Sequence, residues 1–359
     1  MPSLHLAAPS LQRLLHLGDT GDAHAADLRD NLSGLAGRDS WLWLAGDEGR
    51  SLHRLQGDDE RGYGDPIRVK LADFGLAGGK DDGESDLEGL ALDGDRLWLV
   101  GSHSLRRRRH DSDKGEPLAL DPQRSANGQV LGCLHLDARG FPRRGQRLAC
   151  DHHGGEDALT TALAANALIR PFLAIPSKDN GLDLEGISTR NNRVLLGLRG
   201  PVLRGIALVA DLQLDGFAKG GDSDHTLPLQ LQSLQLRYLD LGGLGVRDLA
   251  AVPDSNDVLI LAGPTMPLAG PCRLIRWHDA FSAHPAHHPE SMALECTTTL
   301  LLLRSGDPGD NHDKPEGLHL QHTDGELIAW IAYDSPSKHR RQGDGVCTHL
   351  DGFVVPGVG

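Results

Sequence analysis

Asp183-Leu184-Glu185-Gly186-Ile187 decides the fold, because the chain carries this stretch several times over. Asp86-Leu87-Glu88-Gly89-Leu90 repeats it almost letter for letter, Lys314-Pro315-Glu316-Gly317-Leu318 keeps its second half, and Asn31-Leu32-Ser33-Gly34-Leu35 keeps everything but the acid. Val246-Arg247-Asp248-Leu249-Ala250 reads as a fifth, degenerate copy with Asp248 in the acid's place. After each copy come a short polar turn and an apolar run, at 41–45, 97–100, 194–198, 258–262 and 327–332. The first two copies align without a gap, so that Trp43 falls on Trp98 and Gly46 on Gly101. Such self-similarity marks a repeat architecture in which each copy opens one structural unit.

Each unit reads as four short strands. In the first they are expected over 32–36, 41–45, 51–55 and 66–74, where Ile67, Val69 and Leu71 alternate with polar residues at the strand period. Gly, Asp and Asn fill the gaps as turn formers, which accounts for 45 glycines. Four-stranded units set radially make a β-propeller, so the expected fold is all-β: a single propeller domain over 1–359, of five four-stranded blades, with six the alternative. The alternative comes from the long interval between Glu88 and Glu185. Its preferred occupant is a helical insertion near 156–173, placed before the fourth strand of the second unit, with Leu159, Leu163, Ala167 and Leu168 at helical spacing and Pro171 near the end. Residues 104–127, polar and basic, read as a long loop.

The last unit has only 346–355 left after its first two strands and is one strand short. Residues 14–22 (L-L-H-L-G-D-T-G-D) match 302–310 (L-L-R-S-G-D-P-G-D), whose apolar part reads as a fourth strand. The segment 11–17 is therefore expected to supply the missing strand, closing the ring against the C-terminus and removing exposed sheet edges.

A formal charge of −14 disfavours nucleic acid and anionic membrane surfaces, whose binding depends on dense Lys and Arg. The basic run 106–109 reads as a solvated loop. Five cysteines, far apart and in no C-x-x-C pair, fit reduced thiols better than a disulfide framework. No basic region followed by an apolar core opens the chain, and no apolar run approaches the roughly 20 residues of a membrane span. A soluble cytoplasmic protein is expected. Aromatic residues make up only 4%, too few for the stacking platforms of single-strand nucleic-acid readers.

In such a unit the repeated stretch begins the strand nearest the axis, and the second strand returns to the same face. Glu88, Glu185, Asp248 and Glu316 should then ring one channel mouth, surrounded by Asp47, Ser102, His103, Arg199, Thr265 and Asp334 from the ends of the second strands. Carboxylates about 6 Å apart repel by roughly 3 kcal/mol per pair at an effective dielectric of 20. Compensation is open to a bound divalent cation, calcium above others, held by these four acids; to protons; or to basic neighbours such as Lys178, Arg247 and Lys314. A fourth reading has each acid accept backbone N–H bonds and latch neighbouring units. Weaker constellations are the cluster 151–153 (D-H-H), whose spacing matches no zinc pattern, the glycines of 75–80, which lack a phosphate-loop spacing, and the acids of 307–313, which lack the twelfth-position acid of a calcium loop.

Together, D-L-E-G-L-A through V-G-S-H-S over 86–104, N-G-L-D-L-E-G-I through L-R-G-P-V-L-R-G over 180–205, A-G-P-T over 262–265 and 314–318 resemble an uncharacterised bacterial family, the domain of unknown function 3616. That resemblance implies no activity. More distantly, the acid-Gly pair is similar to gluconolactonase-like propellers, where such a glutamate binds a catalytic divalent metal. The similarity reaches Glu88, Glu185 and Glu316, and the other ligands of those enzymes have no match here. Two functions are therefore expected side by side. One is a metal-dependent hydrolase of a small anionic ester, lactone or phosphoester, with Glu185 or His103 moving the proton and Arg199 or Arg204 holding the substrate's charge. The other is a non-catalytic propeller that binds a ligand or protein on this rim.

Overall fold

Every copy of the repeated stretch becomes the first strand of an antiparallel sheet in the computed structural model, which describes residues 6–38, 40–58, 62–77, 85–107, 122–124, 128–149, 157–217, 228–265, 270–282, 293–305 and 312–357. The first unit is Leu32–Arg38, Trp41–Gly46, Ser51–Asp58 and Gly62–Lys70; the second is Leu87–Asp93, Arg96–Gly101, Leu131–Leu136 and Pro142–Arg147. The third is Asp183–Arg190, Arg193–Gly200, Ile206–Asp215 and Gln230–Asp240; the fourth is Gly245–Ala251, Val258–Gly263, Cys272–Trp277 and Thr297–Leu303. The last combines Lys314–Thr323, Glu326–Asp334 and Val346–Val354 with Leu11–Gly18 from the start of the chain.

The first strands pack on one another in a closed circuit. Leu32–Arg38 contacts Leu87–Asp93, which contacts Asp183–Arg190, then Gly245–Ala251, then Lys314–Thr323, which returns to Leu32–Arg38. Each has a sheet partner on one side alone, so its other edge faces the axis in a radial, propeller-like arrangement. The second strands are covered on both faces by neighbouring units. Trp41–Gly46 and Val258–Gly263 are buried along their whole length, which is why they read as unbroken apolar runs and not as alternating ones. Trp43, Trp98, Trp277 and Trp330 are fully buried anchors of the wedges between sheets; each large apolar side chain so buried contributes about 1.5–3 kcal/mol.

Close approach at the axis explains the glycine after the acid. A Cβ on Gly89 would stand 2.6 Å from the Glu185 carbonyl oxygen, and one on Gly186 would stand 3.0 Å from the Asp248 backbone.

The closing strand is where the sequence places it. Leu11–Gly18 pairs antiparallel with Val346–Val354 and meets Gly62–Lys70 through one parallel pairing, Leu15 with Tyr63, which merges the first and last units into one eight-stranded sheet. Arg13 anchors it: its guanidinium lies 4.4 Å from the centre of the Trp330 ring, and Nη1 donates to Gln321 Oε1 at 2.5 Å and to the Tyr63 hydroxyl at 3.2 Å.

Several expectations are corrected. The inserted helix follows the fourth strand of the second unit and does not precede it. It is also shorter, an α-helix over Ala158–Ala165 and a separate 3₁₀ turn over Arg170–Ala174. Asn166 ends the helix, its side-chain oxygen accepting the Leu168 N–H, and Pro171 opens the turn instead of closing a long helix. The outer strand of the first unit stops at Lys70, because Leu71–Phe74 turns into a 3₁₀ helix capped by left-handed Gly75. A helix over Ala23–Asp30, unforeseen, starts where Asp22 of the G-D-T-G-D tail caps it by accepting the N–H groups of His24 and Ala25. Arg106 and Arg107 are not merely solvated: they pair with Asp86 and Asp179. Cys133, Cys272 and Cys347 are buried thiols and Cys296 is an exposed one, and burial pushes Cys133 up to about 12. Among the described residues no helix is long and apolar enough to cross a membrane. Residues 75–80 are described only to 77; the clusters 151–153 and 307–311, with Cys150, lie outside the described residues.

Candidate functional site

In every unit the pairing of the first and second strands slips by one residue near its start. The slips fall between Leu32 and Gly34, Leu87 and Gly89, Leu184 and Gly186, Val246 and Asp248, and Pro315 and Gly317. The residue skipped is Ser33, Glu88, Glu185, Arg247 or Glu316. A β-bulge re-aims the side chain it carries, so these five form one set at one channel mouth.

This register corrects the sequence alignment by one position in the fourth unit. Arg247, not Asp248, takes the acid's place, and Asp248 takes the glycine's. The signal was present: D-L-E-G-L and G-V-R-D-L share apolar residues at the second and fifth positions. Asp248 is fully buried and acts as a latch. Its Oδ1 accepts the Leu249 N–H at 2.8 Å, its Oδ2 accepts the Leu318 N–H at 2.7 Å, and the Ile187 N–H also donates to it. Burial holds its pKa well above the usual carboxylate range while these donors pull it back. Ser33 latches in the same way, donating to the Leu87 carbonyl at 2.6 Å.

Two guanidiniums stand among the glutamates. Arg247 Nη1 donates to Glu316 Oε1 at 2.8 Å and faces Glu185 Oε2 at 3.3 Å, while Nη2 donates to the Pro264 carbonyl at 3.0 Å. Arg199, at the end of the second strand of the third unit, reaches Glu185 Oε1 at 2.6 Å through Nη1 and Asp183 through Nη2. Burial raises the Glu185 pKa, and both guanidiniums oppose that rise. Of the basic neighbours proposed from sequence, Arg247 thus serves the ring directly, and Lys314 serves it at one remove by pairing with Asp334 at 3.2 Å.

Glu88 differs from the other two. It is partly accessible and has no hydrogen bond or ion pair among the described residues. Burial, then the charges of Glu185, Asp47 and Asp183, hold its pKa well above the usual carboxylate range, against the pull of Arg199. The Glu316 pKa is also well raised, by burial and by Asp334 and Glu185, against the pull of Arg247.

His103 does not join this set. It is fully buried, with Nδ1 2.9 Å from the Gly101 carbonyl and Nε2 2.6 Å from Asp157 Oδ2. Both facing atoms are oxygens, so both ring nitrogens are held in place. Asp157 also caps the inserted helix by accepting the Thr160 N–H. Burial pushes its pKa up, but the His103 charge and these hydrogen bonds outweigh burial and bring it down to about 2. The pair ties the second unit to the insertion; as a mobile base His103 has no free nitrogen.

A metal at the four acids fits these residues poorly. Asp248 belongs to the latch, Arg247 stands between Glu185 and Glu316, and among the described residues no group of three His, Cys, Asp or Glu converges to hold an ion.

No curated protein matches the chain. Among solved structures it is similar to a glutaminyl cyclase from Myxococcus xanthus (10% identity, 98% of this chain and 97% of that one, TM-score 0.42). It is also similar to a PQQ-bound aldose sugar dehydrogenase from Streptomyces coelicolor (12%, 97% and 100%, TM-score 0.34). Likeness at this level says nothing about this chain's chemistry. The family model described as protein of unknown function (DUF3616) matches residues 31–349, so the chain belongs to that family.

Proposed function

We propose that the chain is a five-bladed propeller whose glutamate-lined channel mouth binds a small positively charged organic molecule, an alkylammonium or alkylguanidinium compound. The observation that carries this is Glu88, a partly accessible carboxyl with no hydrogen bond or ion pair among the described residues, set beside Glu185, Asp47 and Asp183, which with burial raise its pKa. A cation arriving there displaces the proton and gains a charge-assisted hydrogen bond. An anionic substrate is disfavoured, since both terminal nitrogens of Arg199 already face carboxylates. The closed circuit of first strands supports the blade count.

Hydrolysis is the second reading. Glu88, without an ion pair among the described residues, beside Glu185 between two guanidiniums is a carboxyl pair in unlike surroundings, the kind that serves acid and base roles.

Thermal unfolding with a panel of alkylammonium and alkylguanidinium compounds, calcium, magnesium, manganese and zinc, beside an assay of lactones and phosphoesters, separates the readings. Saturable stabilisation by an organic cation, lost in Glu88→Gln, is the expected result. Stabilisation by a divalent ion and its reversal by a chelator would favour the metal instead, and turnover abolished by Glu88→Gln would favour the hydrolase.

A further inference from the structure

At the end of the channel opposite the glutamates, the first strands enclose a cavity of about 260 Å³ walled by residues 35–37, 90–94, 188–190, 249–253 and 318–320. Every unit contributes to this wall. What each contributes is the free edge of its first strand, on which backbone N–H and C=O groups recur without a strand partner. The ionised side chains in the wall are already engaged. Arg96 holds Asp93 at 3.1 Å, and Arg190 donates to Asn256 Oδ1 at 3.2 Å and to the Val252 carbonyl at 3.1 Å. Two hydroxyls in the wall are buried without a hydrogen-bond partner, those of Ser188 (1% exposed) and Thr189 (4%). Both are sealed from the cavity, so the polar groups it presents are those of the free strand edges.

We propose that this cavity is a second, independent site that takes a small neutral polyhydroxylated molecule, a polyol or monosaccharide. The strand edges present donors and acceptors together, and a polyol answers with both on each carbon. An ion finds no unpaired opposite charge. The size agrees: at about 30 Å³ per water the space equals eight or nine waters, room for a molecule of about a dozen heavy atoms.

The test is thermal unfolding and calorimetric titration of the full chain with glycerol, myo-inositol and glucose in the millimolar range, with a sugar phosphate as the charged control. A site gives stabilisation that saturates, whereas an excluded osmolyte at these concentrations does not. Saturable binding of inositol or glucose and none of the phosphate is expected, with affinity at least tenfold weaker in Ala251→Leu, which fills the partly exposed wall. Should Ala251→Leu fail to fold, Ala250→Leu, which also narrows the partly exposed wall, replaces it and should weaken binding likewise. Absence of saturable binding to the wild type overturns the proposal, as does unchanged affinity in the folded variant. Either failure leaves the Glu88 mouth untouched.

Discussion

Arg247 Nη1 lies 2.8 Å from Glu316 Oε1, in the bulge position whose counterparts in the second, third and last units are glutamates. A ring of like charges has thus received a covalent cation at one of its own repeat positions. Two of the three glutamates pair with guanidiniums, and the third, Glu88, has no ion pair among the described residues and a pKa held well above the usual range.

Replacing Arg247 by Met preserves bulk and removes the charge, leaving buried Glu185 with Arg199 alone and half-buried Glu316 without its guanidinium. Breaking a buried ion pair from one side costs about 3–5 kcal/mol. Urea denaturation at pH 7 should show a loss of that order, smaller at pH 5 where the freed carboxyls take up protons. A loss below about 1 kcal/mol would make the arginine a bystander.

For Glu88 the pH dependence runs the other way from that of a paired acid. Its folded pKa lies above the unfolded value near 4.3. Between those values the unfolded chain has released a proton that the folded state still holds, so stability falls as pH rises. Glu88→Gln should therefore melt with the wild type at pH 4 and a few degrees above it at pH 8. Equal melting temperatures at both pH values would mean that Glu88 is an ordinary surface acid.

The repeat, the four-strand units and the displaced N-terminal strand were legible because glycine, turn residues and apolar runs recur wherever a strand starts or is buried on both faces. What stayed hidden depends on register. The bulge falls on Arg247 through hydrogen bonding to the next strand, Val258–Gly263, and its local trace is no more than the two apolar positions of G-V-R-D-L. His103 looked like a free base for a similar reason. Its partner Asp157 caps an inserted helix whose docking, through Leu159 and Leu163 with Ile169 beyond its end, is decided by tertiary packing.

The His103–Asp157 pair predicts acid sensitivity with the opposite sign. The Asp157 pKa is depressed to about 2 from an ordinary 3.8, so the pair contributes about 2 kcal/mol above pH 4 that is lost as pH falls toward 2. Asp157→Asn keeps a helix cap but leaves His103 Nε2 without its carboxylate. Acid titration of stability should show the wild type falling through this window and the variant, already weaker at pH 7, nearly flat there. Parallel curves would remove the ion pair from the account.

Deleting residues 1–18 removes the strand paired with Val346–Val354 and bares a sheet edge. The truncated chain should aggregate or lose cooperative unfolding in scanning calorimetry. A melt like that of the full chain would contradict closure by Leu11–Gly18.

The central claim, that Glu88 exchanges its proton for an organic cation, is tested most directly by calorimetric titration of an alkylammonium or alkylguanidinium compound at pH 6 in two buffers of different ionisation enthalpy. The predicted result is a net release approaching one proton per bound molecule for the wild type, with binding weakened at least tenfold in Glu88→Gln. Binding whose heat is identical in both buffers, or that survives unchanged in Glu88→Gln, would contradict it.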